Sequence, residues 1–400
     1  MTFSAFCARC RKKVKKAERI IRYFDMFAGV GGFRAGLDLA GGFQCIGHCE
    51  IDKYADASYR AIHAPGKEEV YYPDARTIDP KELPDFDLLC GGFPCQAFST
   101  AGRRKGFEDA RGTLFFELAR VVKEKRPLYL FLENVPGLLS HDRGRTFGVI
   151  LSALYDLGYH VEWTVLNSKH FGVPQSRRRL FLIGYLDPRC AGKILPVFGT
   201  DAKALVQIVH GRLGKRVYDS AGIACTQDTS RQSGLYFVDL TKGNPKITAN
   251  ARCLHTRQDG SLTNFKGQNS GVLYIKEATK KGYKEAHEGD SIDLGFAGSN
   301  TRRGRVFAGV AHTVDTANTH GIVLRGGRVR RLMPRECFRL QGFNEDQIDK
   351  ILAINSDAQA YKQAGNSVTV TVIEAIGRRI RAADAELHDK EEGRDVCPTM

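Results

Sequence analysis

A short apolar run, Leu88-Leu89-Cys90, stops on Gly91-Gly92 and then offers Cys95 behind Pro94. That ending constrains the fold more than any other stretch. Paired glycines at a strand's end permit a close backbone approach, and proline fixes the angle at which the chain leaves. The thiol is thereby displayed at the carboxyl end of a buried strand, where open α/β sheets place their sites. An inert, packed cysteine is the competing reading of a lone thiol.

The preceding stretch follows the same logic. Ile20, Ile21, Tyr23 and Phe24 predict a strand, Phe27 to Phe33 a glycine turn, and Arg34 to Leu39 a helix ended by Gly41-Gly42. A second strand, Phe43 to Cys49, delivers Glu50 about twenty residues after the first glycines, the separation at which an acid takes ribose hydroxyls. The spacing Gly29-x-Gly31-Gly32 departs from the dinucleotide pattern GxGxxG. Asp74, ahead of Ala75, stands at a third strand's end, either as a contact to a purine amino group or as a turn cap.

After Cys95, Ser99 to Gly112 is polar and carries Arg103, Arg104 and Lys105, which suits a mobile loop near phosphates or an ordinary surface loop. Leu114 to Lys125 predicts an amphipathic helix. The strand Leu128 to Leu132 closes on Glu133-Asn134-Val135, putting a carboxylate on the same sheet edge as Cys95, a candidate acid/base partner. Val161 to Leu166 and Arg179 to Tyr185 read as two more strands, with the basic cluster Gln175-Ser176-Arg177-Arg178-Arg179 attached to the second.

From Asp187 to about Leu324 the alternation of strand and helix is lost. The segment is rich in Gly, Thr, Ser, Asn and Arg, and an echo between Arg216 to Thr226 and Arg305 to Thr313 predicts two similar β hairpins in a recognition module. A helix begins near Pro334 and ends at Gln341-Gly342-Phe343. Tyr361 to Val368 leads into a last helix, Val370 to Ala383, and the charged end from Glu386 is expected to fray. The predicted units are a basic arm (1–19), a catalytic and cofactor-binding domain (20–186) and a target-recognition domain (187–325). A supporting hinge helix (326–355), a segment returning to the catalytic domain (356–385) and a charged tail (386–400) complete the chain.

A chain of 400 residues, 42% hydrophobic, suits two domains or one with a large insertion. Its net charge of +15 points to a polyanionic partner. Eleven scattered cysteines fit a reducing compartment, and apolar runs too short for a bilayer, with no signal pattern, fit a cytosolic location. Cys7-x-x-Cys10 is half a zinc site without a second pair, so the arm reads as a basic segment and no metal is expected.

Six stretches, in this order, resemble the DNA (cytosine-5) methyltransferases, compact bacterial and phage members above all. They are Phe27-Ala28-Gly29-Val30-Gly31-Gly32, Gly92-Phe93-Pro94-Cys95-Gln96, Glu133-Asn134-Val135, Gln175-x-Arg177-x-Arg179, the Arg331 to Phe343 helix and Gly365-Asn366-Ser367-Val368. The match runs from Tyr23 to about Arg381, the central module excepted. Ile51 stands where one compact member has Trp, which weakens stacking on an adenine.

The resemblance implies an S-adenosylmethionine-dependent Rossmann-like α/β sheet with helices on both faces, plus a smaller β- and loop-rich target-recognition domain. It also implies double-stranded DNA as substrate. By the same resemblance Cys95 adds to carbon 6 of cytosine, Glu133 protonates ring nitrogen 3, Arg179 binds the base carbonyl, and Arg177 favours the thiolate and holds the base or its phosphate. Phe27, Ala28, Gly29, Gly31, Gly32, Glu50, Ile51, Asp74, Ala75, Pro94, Leu114, Asn366, Ser367 and Val368 are the cofactor residues it implies. Gln96, Ser99, Arg103, Arg104, Arg302, Arg303 and Arg305 are the DNA contacts. A flipped-out base, a closing loop from Ser99 to Gly112, a monomer, and an independently acting restriction endonuclease as an optional partner belong to the same expectation. Two other readings compete: an RNA methyltransferase of the same fold, as in the tRNA-modifying branch, and a catalytically dead DNA-binding regulator. The long central module speaks against the first, and the complete set Cys95, Glu133, Arg177 and Arg179 against the second.

Overall fold

In the computed structural model the described residues are 19–94, 114–195, 197, 235–239, 246–248, 273–295, 301–316, 319–324 and 329–392. Cys95, Gln96, Ser99, Arg103, Arg104, the Cys7-x-x-Cys10 arm and the first of the two expected hairpins lie outside them.

The first half of the chain builds one sheet. Its strands are β1 (Ile21–Met26), β2 (Phe43–Cys49), β3 (Val70–Tyr72), β4 (Leu88–Gly92), β5 (Tyr129–Asn134), β6 (His160–Asn167) and β7 (Arg178–Tyr185). They lie in the order β3-β2-β1-β4-β5-β7-β6. Pairing is parallel from β3 across to β5, and β7 runs antiparallel to both β5 and β6.

Successive side chains point to opposite faces, so each central strand feeds two cores. Phe24 and Met26 of β1, Leu89 of β4, and Leu130 and Leu132 of β5 pack with Phe115, Leu118 and Ile150 on one face. These last come from the helices α3 (Leu114–Lys125) and α4 (Arg145–Asp156). On the other face Tyr23, Leu88, Cys90 and Phe131 meet Phe33 and Leu37 of α1 (Gly32–Ala40). Val372, Ile373, Ile376 and Ile380 of the closing helix join them there. Each such side chain, fully buried, contributes roughly 1.5–3 kcal/mol, so the sheet's position rests on its near-continuous apolar strands.

Helices α2 (Lys53–His63), α5 (Pro334–Leu340), α6 (Glu345–Ile354) and α7 (Asp357–Asn366) complete the body with α8 (Val370–Glu392). Sequence reasoning passed over α2, α4, α6 and α7. Two carried readable start signals: Asp52 accepts from the Tyr54 and Ala55 amides at the head of α2, and Asn344 with Gln347 forms a capping box on α6.

Two expectations need correction. The charged end does not fray at Glu386; α8 continues to Glu392, with Leu387 buried against the sheet's second core and Glu386 paired with Lys193. Arg305 to Thr313 is not a hairpin either. Val306–Phe307 is a strand, β13, pairing with β12 (Ser291–Asp293), and residues 310–314 leave it to run beside Gln175, touching through a single parallel bridge at Ala311. The Ala311 amide and carbonyl bond to Pro174 O and the Ser176 amide instead, so this stretch pairs with the catalytic body rather than turning back onto β13, and β14 (His320–Val323) pairs β12 on its other side.

The described central residues form two small antiparallel sheets. One has the order β11-β10-β8-β9, from Tyr283–Ala286, Leu273–Lys276, Leu235–Asp239 and Lys246–Thr248; the other has the order β13-β12-β14-β15, ending at Val329–Arg331.

Gly91 pairs with Met26 where β4 runs beside β1, and a Cβ there would stand 2.0 Å from the Met26 carbonyl oxygen. Gly91→Ala is therefore expected to lower unfolding free energy by at least about 2 kcal/mol through forced strand separation. Denaturant titration measures it, and a parent-like midpoint would contradict the packing described.

Candidate active site

Between β1 and β4 the strand order reverses, so the crevice of the sheet opens beyond the carboxyl ends of those two strands. Everything the sequence singled out in the described body gathers on that edge. Phe27 to Gly31 follow β1, Glu50 follows β2, Asp74 follows β3, Phe93 and Pro94 follow β4, and Glu133 lies near the end of β5. Because β7 runs the other way, its amino end brings Arg177 and Arg179 to the same edge.

The turn after β1 is held in an unusual shape. Phe27, a residue with a side chain, has φ 60°, and Gly29 and Gly31 have φ 57° and 81°. A left-handed phenylalanine is strained, and such strain persists where the surroundings over-determine it. Here the Ala28 amide donates to Cys49 O and the Gly31 amide to Ala28 O. Glu50 locks the turn from β2: Oε2 accepts the Gly29 amide and Oε1 the Asp52 amide, both at 2.7 Å. Burial raises its carboxyl pKa, and the amides of Asp52 and Gly29 oppose that rise. Each oxygen keeps a lone pair, so the carboxylate still has capacity for hydroxyl donors.

Around this turn, Ile51 projects into solvent at 69% exposure, and Leu114 is half-buried at the head of α3. The turn Asn366-Ser367-Val368 presses on the start of α1, where a Cβ on Gly32 would stand 2.8 Å from both Ser367 Oγ and Val368 Cγ2. Asp74 caps the short turn Ala75–Thr77 and pairs with the Arg76 guanidinium, so of its two readings the cap is the one observed. Lys362 of α7 pairs with Asp52 at 2.7 Å, tying the Glu50 loop to the last motif. Neither residue was singled out from sequence, since a lone Lys and Asp 310 positions apart leave no local pattern.

The second cluster is acid and arginine. Glu133 stands opposite Gly92 in the β4–β5 register, and a Cβ on Gly92 would lie 3.0 Å from Glu133 Oε2. Its Oε1 is 2.9 Å from Arg179 Nε. Burial pushes the Glu133 carboxyl above its usual range, while Arg179 and then Arg177 pull it down. Asn134 donates from Nδ2 to Phe93 O at 2.8 Å and accepts the Val135 amide, fixing the peptide that leads into Pro94.

Arg177 is buried, and its guanidinium points at main chain: Nη1 donates to Val314 O, and Nη2 to Gly365 O and Ser367 O. Burial, with Arg179 adding to it, lowers its pKa to about 9. These carbonyls take its two terminal nitrogens, while the buried Nε has no hydrogen-bond partner among the described residues.

Of the three arginines expected from sequence to contact DNA in residues 187–325, Arg303 is exposed and Arg302 pairs with Asp293 at 2.5 Å. Arg305 must be withdrawn as a DNA contact. It is 1% exposed, with its guanidinium hydrogen-bonded to the Asp293 and Lys276 carbonyls and its amide to Glu277. Among the described residues no helix is long and apolar enough to cross a membrane.

A Rossmann-like sheet with one reversed strand, a glycine turn locked by an acid, and a buried Glu–Arg pair beside the Pro94 segment define a methyltransferase architecture. The chain belongs to the C-5 cytosine-specific DNA methylases, whose family model matches residues 21–382. It is 32% identical to the orphan methyltransferase M.SPRI of Bacillus phage SPR, over 90% of this chain and 97% of that protein. Against the Type II methyltransferase M.HpaII of Haemophilus parainfluenzae the identity is 35%, over 92% and 91%, and against M.HhaI of Haemophilus parahaemolyticus 32%, over 90% and 94%. Among solved structures, a putative DNA modification methyltransferase encoded within an E. coli prophage shares the fold with a TM-score of 0.55 at 20% identity, over 91% of this chain and 99% of that one. The S. pombe Dnmt2 methyltransferase does so at 0.52 and 16%, over 92% and 99%.

Asn134→Ala removes the donor to Phe93 O. Methyl transfer is expected to fall roughly tenfold to a hundredfold through misplacement of the Pro94 segment, with a stability loss of only about 1–2 kcal/mol. Single-turnover rates and thermal melts measure the two, and an unchanged rate would remove Asn134 from the positioning role.

Proposed function

We propose that this chain is a sequence-specific DNA methyltransferase that uses S-adenosylmethionine to methylate carbon 5 of a cytosine flipped out of duplex DNA, through a covalent adduct to Cys95. The observation that supports it best is the Glu133 carboxyl, buried against Gly92 two residues before Pro94 and braced by Arg179. The residues at the turn fit the cofactor: Glu50 has lone pairs for two ribose hydroxyls, and Ile51 offers an apolar surface for an adenine. Phe27, Ala28, Gly29, Gly31, Gly32, Pro94, Leu114, Asn366, Ser367 and Val368 would line the rest, with Asp74 and Ala75 at the rim. When bound, S-adenosylmethionine supplies an electrophilic methyl group.

The chain's own residues supply the activation. Carbon 5 of cytosine is a poor nucleophile until the ring gains electron density. The Cys95 thiolate would form a bond to carbon 6, and the electron pair displaced toward ring nitrogen 3 would be met there by the Glu133 proton. Burial raises the Glu133 pKa, which favours the protonated acid this step needs, and Arg179 at 2.9 Å keeps the acid oriented. Once carbon 5 carries the methyl group, loss of its remaining proton to water or hydroxide would restore the carbon 5–carbon 6 double bond and expel Cys95 as thiolate, with ring nitrogen 3 returning its proton to Glu133. A base inside a duplex does not reach such a site, which is why flipping is part of the proposal. Relatives named as phage orphan and Type II methyltransferases support a role in self-protection or restriction–modification. A monomer suffices, since one site with one recognition module modifies one strand at a time.

Cys95→Ser is expected to abolish transfer while cofactor binding, followed by calorimetry, persists; appreciable turnover would refute the covalent role. Glu133→Gln keeps shape but loses the acid, so turnover should drop at least about a hundredfold. A near-normal rate would mean that the ring is activated otherwise. Direct sequencing of DNA from cells expressing the protein tests the whole reading: one short motif fully converted to 5-methylcytosine is expected. Unmodified DNA beside a protein that still binds S-adenosylmethionine would shift the substrate to RNA.

A further inference from the structure

Residues 311–316 cross from the second small sheet to the catalytic body, and the body grips them along their length. The Ser176 amide donates to Ala311 O and the Ala311 amide to Pro174 O, each at 2.8 Å. Thr313 Oγ1 donates to Ser176 O at 2.9 Å. Gln175, with no exposed surface, accepts the Val314 amide at Oε1 (2.9 Å) and donates from Nε2 to Leu340 O at the end of α5 (2.7 Å). Arg177 Nη1 holds Val314 O at 3.1 Å. From the other side Gly365 leaves no clearance, since a Cβ there would stand 2.6 Å from the Asp315 carbonyl carbon and the Thr316 nitrogen. Beyond the grip, Asp315 accepts from the amide and hydroxyl of Thr319, next to β14. Both ends of the segment thus belong to the sheet of β12, β13 and β14.

Arg177, which holds this segment, lies two residues before Arg179, and Arg179 pairs with Glu133 at 2.9 Å; both guanidiniums oppose the rise of that carboxyl's pKa. Resting on the function proposed above, we infer that residues 311–316 form a coupling strap. Through it, seating of the recognition module on duplex DNA sets where Arg177 stands beside Glu133, and hence when the acid is competent. Gln175 and Thr313 are its positioning residues, since neither contacts the Glu133–Arg179 pair.

Gln175→Leu loosens the strap without touching Cys95, Glu133 or the cofactor turn. The expected result is a kcat at least about tenfold lower, the scale of losing the buried hydrogen bonds that Gln175 makes to Val314, Leu340 and Gln341, with the KM for S-adenosylmethionine within about twofold of wild type. The alkaline limb of kcat should also move to higher pH. Withdrawal of a cation raises the Glu133 pKa, and activity that needs the protonated acid then survives to higher pH. Thr313→Val, which removes one hydroxyl and keeps the shape, should move the limb the same way by less. Loss of activity in proportion to unfolded protein, with the limb unmoved in both variants, would overturn the strap.

Amide exchange on the full-length protein, with and without a duplex carrying the methylated motif, reads the coupling without turnover. Peptides covering 175–179 and 311–316 should gain protection together in wild type and separately in Gln175→Leu. Protection in neither segment, or unlinked protection in wild type, would overturn the strap even where methylation proceeds. Absent methylation with linked protection would instead count against the proposed reaction.

Discussion

The candidate site depends on a register. On the parallel strands β4 and β5, Gly92 faces Glu133, and the absence of a side chain at Gly92 lets a carboxyl lie over the backbone that leads to Pro94. The antiparallel course of β7 then matters as much as its residues. Were it parallel like its neighbours, Arg177 and Arg179 would leave the strand's amino end at the opposite edge of the sheet. Reversed, that end meets the carboxyl ends of β1, β4 and β5, so one topological irregularity brings the acid and both arginines together.

Such a cluster is not a device for stability. Two guanidiniums and one carboxylate in a dry setting carry a desolvation penalty that their attraction repays only partly, and apolar packing of similar volume would serve the fold as well. The structure shows how the penalty is contained. Arg177 is compensated in part, by three main-chain carbonyls at its terminal nitrogens but with no partner at its buried Nε, and Arg179 by Glu133 and the Arg178 carbonyl. What the arrangement provides instead is a carboxyl in which burial outweighs two nearby positive charges. That balance moves the carboxyl toward its protonated form.

The parts of this design that a single sequence reveals are those encoded locally. Strand β2 and helix α3 follow from an apolar run and an amphipathic period, and Glu50 and Glu133 from their positions at strand ends. The tertiary partners follow from nothing local. Asn134 was legible as part of a motif but not as the donor to Phe93 O, because that bond spans 41 positions. Likewise Arg177 has the composition of a catalytic arginine, and only the fold reveals that Val314, Gly365 and Ser367 supply its acceptors, the farthest of them 190 positions away. The expected hairpin at Arg305 failed for a related reason: short β-type runs specify extension, whereas the choice of partner belongs to the whole module.

Charge illustrates the same gap between composition and location. A net +15 suggests a broadly positive surface, yet among the described residues several arginines are turned inward or matched. Arg34 forks onto Glu69, Arg330 onto Glu336, and Arg339 onto Glu345, while Arg177 and Arg305 hold carbonyls in the interior. A guanidinium so engaged releases no counterion from DNA and adds nothing to the salt dependence of binding. Within the described part of the recognition module the cations that face solvent are few, Lys280, Lys281 and Arg303 among them. Arginine's fixed fork serves the interior well because it ties several carbonyls at once. The arginine count of this chain is therefore as much a measure of how its segments are fastened to one another as of its attraction for a polyanion.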